Sequence, residues 1–150
     1  MALELSQAET GEASQVRALA RDAYAIYVPR MGREPAPMLA DYENLIAAGR
    51  VTVLRDNGRL VGFLVAYPRG KNLHVENVAV AVAARGRGLG KLLLDEAERI
   101  AGEAGLRALE LYTNEKMTEN IAWYPRLGFR ETGRRIEDGY ARVYFLKELD

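Results

Sequence analysis

The chain has 150 residues, 49% of them hydrophobic and 28% charged, with 21 basic side chains against 21 acidic ones. That is long enough for one domain with a real core, and the balanced charge leaves no global field to attract nucleic acid or an anionic membrane. Cysteine is absent, which excludes disulfides, thiol nucleophiles and cysteine-held metals.

The first residues, MALELSQAETGEAS, contain acids and no apolar stretch of the kind a secretory signal needs. No later apolar run approaches a membrane span. The expectation is a single domain over residues 1–150, located in the cytoplasm. Residues 3–8 alternate weakly and suit a short first strand. From Ala13 the apolar positions Val16, Leu19, Ala20, Ala23 and Tyr27 share one helical face, and Pro29 is expected to end that helix. Pro37 suits the first turn of a second helix, with Leu39, Tyr42, Leu45 and Ile46 turned inward and Gly49 as its stop.

VTVLR and LVGFLVAYP read as strands joined through Asn57-Gly58, a two-residue hairpin signal. NLHVENVAVAV is a third long strand that runs into ARGRGLGKLLL. Leu89, Leu93, Ala97, Ile100 and Ala104 then repeat at helical spacing up to Gly105. ALELYT is a strand, Met117 to Leu127 a short helix ended by Gly128, and FRETGRRI and YARVYFLKEL pair across Glu137-Asp138-Gly139. The pattern is α+β, with a helical crossover that makes its two flanking strands parallel.

The glycine stretch poses the functional question. A Walker A loop would need glycine at Arg85 and Ser or Thr at Leu92, so it fails twice. A dinucleotide fingerprint would need glycine at Lys91. A plain glycine turn with solvated arginines stays open. The order strand, Arg-Gly-x-Gly-x-Gly, amphipathic helix favours a phosphate cradle instead, because glycines let an anion approach the free N–H groups of a helix start. Arg85, Arg87 and Lys91 carry charge of the matching sign.

NVAVAV followed by Arg85-x-x-Gly88-x-Gly90, and later Tyr124-Pro-Arg-Leu-Gly128-Phe129, resemble two motifs of the GNAT family of N-acetyltransferases, in the same order and with a helix and a strand between. The resemblance covers residues 50–147 and is looser over the N-terminal helices. It implies a mixed, mostly antiparallel sheet of about six to seven strands with flanking helices and a central β-α-β crossover. It implies acetyl-CoA as cosubstrate, no metal, and direct transfer to an amine of a small molecule or a peptide. No nucleic-acid or membrane partner is expected, and a homodimer is left open. Pantetheine would lie along Val78, Ala79 and Val80, and pyrophosphate on Arg85, Gly86, Arg87, Gly88, Leu89, Gly90 and Lys91. Tyr124 would protonate the departing thiolate.

The position where the family often carries a CoA-contacting asparagine is Met117 here; Asn114 and Asn120 are nearby substitutes, and Asn120, one helical turn from Tyr124 and on its face, is the better candidate. Pro125 removes a helical N–H, which predicts a kink or an Ile121 carbonyl left to water or ligand. For the proton lost by the amine, His74 and Glu76 share a strand face with Val78 and Val80 and are the candidate bases; an ordered water chain is the alternative. Tyr24, Tyr27, Arg30, Arg33 and Tyr42 are candidates for the acceptor site, with Arg30 suited to a carboxylate. The rival from another class is a non-catalytic CoA-binding sensor, which would keep Gly88 and Gly90 but have no use for Tyr124.

Overall fold

A computed structural model describes residues 2–150. Seven strands form one sheet: β1 Leu3–Gln7, β2 Val51–Asp56, β3 Arg59–Arg69, β4 Asn72–Val80, β5 Ala108–Asn114, β6 Arg130–Glu137 and β7 Tyr140–Glu148. Their order is β1-β2-β3-β4-β5-β7-β6. Both expected hairpins are present. Asn57 (φ 52°) with Gly58 (φ 81°), and Asp138 (φ 54°) with Gly139 (φ 79°), supply the paired positive φ angles that match strand twist in a two-residue turn. The parallel step is also present, pairing Asn72–His74 with Ala108–Glu110. The other registered pairs are antiparallel, so the sheet is mixed and mostly antiparallel, as expected.

The described residues cluster into two compact units, the first comprising the chain up to Ala66 with Asn77–Asp95. Its core is built by helix α1 (Ala13–Tyr24), through Val16, Leu19, Ala20 and Ala23, against Val51 and Val53 of β2 and Phe63 and Val65 of β3. Each fully buried Val, Leu or Phe contributes about 1.5–3 kcal/mol over its exposed state.

Two helical expectations need correction. Pro29 does not end the first helix. A 3-10 turn at Ala25–Tyr27 leads into α2 (Val28–Met31), where Pro29 sits in the first turn and its missing N–H costs nothing; Gly32 (φ 71°) is the stop. The second helix is two pieces, α3 (Ala36–Leu39) and α4 (Tyr42–Ala47). The break comes at Ala40, which is extended, and Asp41 then caps α4 by accepting from the Asn44 N–H at 3.1 Å. Leu39 is consequently 60% exposed, whereas Tyr42 and Ile46 are buried.

The second unit comprises Tyr67–Glu76 and Glu96–Asp150. Leu109 and Leu111 of β5 and Val143 and Phe145 of β7 are buried. Helix α5 (Leu89–Glu103) runs from the first unit into the second. Its buried positions are Leu89, Leu93, Leu94, Ala97 and Ala101, so Ala101 holds the stripe and Ala104, expected inward, is exposed. Helix α6 (Thr118–Arg126) carries Pro125 one residue before its end. There the chain closes by other bonds: Leu127 N–H and Phe129 N–H both donate to the Tyr124 carbonyl, at 3.0 and 3.1 Å.

Candidate active site

Strand β4 alternates. Leu73, Val75, Asn77 and Ala79 are buried on one side, while Glu76, Val78 and Val80 on the other are half-buried. Past its end a 3-10 turn at Val82–Ala84 leads into the glycine loop. Gly86 (φ 82°) and Gly88 (φ 75°) adopt the left-handed conformation, and an added Cβ at either would point into open space. The first helical bond is from Leu92 N–H to the Gly88 carbonyl at 3.2 Å, so the N–H groups of Leu89, Gly90 and Lys91 lie ahead of it at the helix end. An exposed loop with positive-φ glycines ahead of a 15-residue helix fits a pyrophosphate.

The loop's basic side chains are engaged with protein groups. Arg85 Nη2 donates to the Ala23 carbonyl at 3.0 Å, Arg87 Nη2 to Asp56 Oδ2 at 2.8 Å, and Lys91 Nζ lies 3.1 Å from Asp95 Oδ2. The backbone, more than these side chains, is what the loop offers an anion.

Beside the loop in the same unit, Asn77 is held at both ends. Tyr24 Oη donates to its Oδ1 at 2.6 Å, and its Nδ2 donates to Tyr42 Oη at 3.0 Å; Tyr42 in turn donates to the Pro37 carbonyl at 2.5 Å. Tyr42 is fully buried in the core of this unit, on the inward side its helical position led one to expect. Tyr24 and Tyr27 are half-buried, with rings 6.1 Å apart, and the guanidinium of the exposed Arg30 sits 5.3 Å from the Tyr27 ring.

In the second unit, Tyr67 Oη donates to Glu76 Oε1 at 3.0 Å. His74 is only 2% exposed, its Nδ1 3.0 Å from Glu110 Oε2 and its ring between those of Tyr67 and Tyr112. Burial pushes its pKa below the ordinary value, with the Glu110 contact opposing. Tyr124 is 8% exposed and packs against Trp123, Phe129 and Phe145 with ring centroids 5.3–5.5 Å away. Asn120 Nδ2 lies 3.3 Å from Thr113 Oγ1 on the adjoining strand. Among the described residues no group of three His, Asp or Glu side chains is placed to hold a metal, and no helix is long and apolar enough to cross a membrane.

Sequence reading passed over Asn77, Asp56, Tyr67 and Glu110. Asn77 had a readable signal, a polar residue at an inward position between Val75 and Ala79. The other three depend on pairings across elements.

A family model for the GNAT acetyltransferases matches residues 15–129. A mycothiol acetyltransferase of Jonesia denitrificans is 32% identical over 88 residues, covering 57% of this chain and 28% of that protein. A peptidyl-lysine N-acetyltransferase of Salmonella typhimurium is 29% identical over 94 residues, 63% of this chain and 59% of the relative. The chain thus spans less than two thirds of either relative's length. Among solved structures, the PaiA N-acetyltransferase of Thermoplasma acidophilum, in complex with coenzyme A, superimposes with a TM-score of 0.83 over 99% of this chain and 100% of that one, at 17% identity. Nourseothricin acetyltransferase gives a TM-score of 0.60 at 30% identity, covering 65% of this chain and 64% of that one. The fold is shared with the first of these, the family model takes in most of the sequence, and the chain belongs to the GNAT family of acetyltransferases.

Proposed function

We propose that this protein is an acetyl-CoA-dependent N-acetyltransferase that moves the acetyl group directly to a primary amine, with a small-molecule acceptor favoured over a peptide N-terminus. The observation that carries the reading is the glycine loop: left-handed, open glycines at 86 and 88 ahead of a long helix. Family membership supports it, as do the relatives named as a mycothiol acetyltransferase and a peptidyl-lysine N-acetyltransferase.

In this reading the cosubstrate supplies an activated thioester. The N–H groups of Gly86 to Lys91 hold its pyrophosphate, and the backbone of Val78, Ala79 and Val80 holds the pantetheine arm as an added strand would be held. Glu76, oriented by the Tyr67 hydroxyl, takes the proton from the arriving ammonium, and His74 is the second candidate for that role. The freed amine attacks the thioester carbonyl to form the C–N bond; the C–S bond breaks as Tyr124 O–H gives its proton to the departing sulfur, and the second proton shed by the nitrogen restores the phenol. Asn120, one helical turn from Tyr124, contacts the cosubstrate. Arg30, with Tyr27, receives a carboxylate of the acceptor. A chain without cysteine carries no disulfide tying it to an oxidising compartment, and we place it in the cytoplasm.

Thermal unfolding with acetyl-CoA, with ATP and NAD as controls, tests the reading. A ligand at about 100 times its Kd stabilises the folded state by about 2.7 kcal/mol. A shift with acetyl-CoA alone is expected; none at millimolar concentration overturns the assignment.

A further inference from the structure

The two loop arginines are the residues a sequence reading would give to the phosphates, and both are turned to the protein. Arg85 reaches the carbonyl of Ala23, near the end of α1, and Arg87 reaches Asp56, at the end of β2 just before the hairpin turn. The Asp56 side chain is 18% exposed and that of Arg87 34%. Asp56 Oδ1 is buried and without a hydrogen-bond partner, the one such side-chain atom among the described residues. The carboxylate therefore depends on Arg87. If Arg87 left for a phosphate, a largely buried charge would lose its counterion, which is far costlier than breaking a surface pair.

We infer that Asp56 is a positioning residue for the cosubstrate: through Arg87 it anchors the glycine loop to the β2–β3 hairpin and holds the loop's N–H groups in register for the pyrophosphate. Arg87 is then a strut and not a phosphate ligand. This rests on the acetyl-CoA reading above. It reverses the sign of an otherwise natural expectation. Were Arg87 a phosphate ligand held back by Asp56, removing the acid would free it and tighten binding. As a strut, it loses its anchor and binding weakens.

Calorimetric titration with CoA separates the two. Asp56→Ala and Arg87→Ala are each expected to raise the Kd about tenfold, and the double variant no further, because both remove the same strut. Exchanging the charges, Asp56→Arg with Arg87→Asp, is expected to recover most of the affinity. A loss of packing alone would lower the melting temperature of every variant without that recovery. Tighter binding by Asp56→Ala, an unchanged Kd, or strictly additive losses would overturn the inference. If Asp56→Ala does not fold, Arg87→Ala and the charge exchange decide, since an exchange no better than Arg87→Ala is equally fatal. Wild-type protein that fails to bind CoA overturns the functional reading as well, an outcome distinct from variants that bind as well as wild type.

Discussion

His74 and Glu110 are registered partners across the parallel step between β4 and β5, and their side chains meet there at 3.0 Å. The pairing gives a pH dependence. Burial lowers the His74 pKa from its ordinary 6.5, more than the Glu110 contact raises it. The unfolded chain therefore binds the proton first as pH falls, so the stability His74 contributes is present above about pH 6.5 and is lost as pH drops through the lower folded pKa. Denaturant titrations of wild type and His74→Gln between pH 5 and 8, conditions set about these pKa values, are expected to diverge, the wild type losing stability more steeply at the acid end. Parallel curves would show that His74 does not titrate this way.

Gly88→Asp should leave the protein folded, at a cost of about 1 kcal/mol for a non-glycine residue in the left-handed region. The site has open space for a side chain. The carboxylate would nevertheless face the bound pyrophosphate, so stabilisation by acetyl-CoA is expected to vanish. A Gly88→Asp protein stabilised as strongly as wild type would remove the loop from the cosubstrate site.

Tyr124→Phe keeps the ring packing against Phe129 and Phe145 and removes only the hydroxyl. Binding of CoA should stay near the wild-type value while kcat falls by about 100-fold, the lower end for loss of a general acid. Equal kcat in the two proteins, read as thiol release, would end the assignment of Tyr124 as proton donor.

Arg30→Ala tests the acceptor side. With L-lysine as the amine, KM should rise about tenfold at nearly constant kcat, as expected when one charge-assisted contact is lost from both ground and transition states. An unchanged KM would detach Arg30 from the acceptor carboxylate.

Gly62 packs where β3 meets β4. An added Cβ would lie 3.0 Å from the Ala79 carbonyl oxygen and 3.1 Å from Leu93 Cδ1. Backbone cannot yield as a flexible side chain does, so Gly62→Ala should destabilise by about 1–3 kcal/mol in a urea titration. A stability equal to wild type would mean that the strands separate there at little cost.

Hairpins, the parallel crossover and the glycine loop were legible because each is written in local chemistry: paired positive-φ turn residues, a valine-rich strand, then glycines before an amphipathic run. The start and buried face of α1 were legible too, but where it ends and how the chain is divided up to Ala47 were not. Pro29 and Pro37 both favour a first turn, and only packing decides whether a helix continues, restarts or breaks, as it does at Ala40. The same limit applied to side-chain partners. Arg87 reads as a free cation until β2 brings Asp56 beside it, and nothing local in the sequence announces that the Tyr42 hydroxyl meets Asn77 and the Pro37 carbonyl. Glu76 and His74 share a face by alternation, but their surroundings come from Tyr67 and Glu110 on neighbouring strands.

The position of β7 between β5 and β6 bears on how the chain is made. On a ribosome, β5 emerges with no partner on its outer edge, and β6 follows but is not its neighbour. The strand that covers β5 is synthesised after it, with Ala108 opposite Glu148. The hairpin of β6 and β7 forms from adjacent residues, and docking then occurs through its later arm. Until that arm is complete, β5 presents an open edge to other nascent chains. Closing this side of the sheet therefore waits for β7, and slow or interrupted translation between Asn114 and Tyr140 would prolong the exposure of the β5 edge.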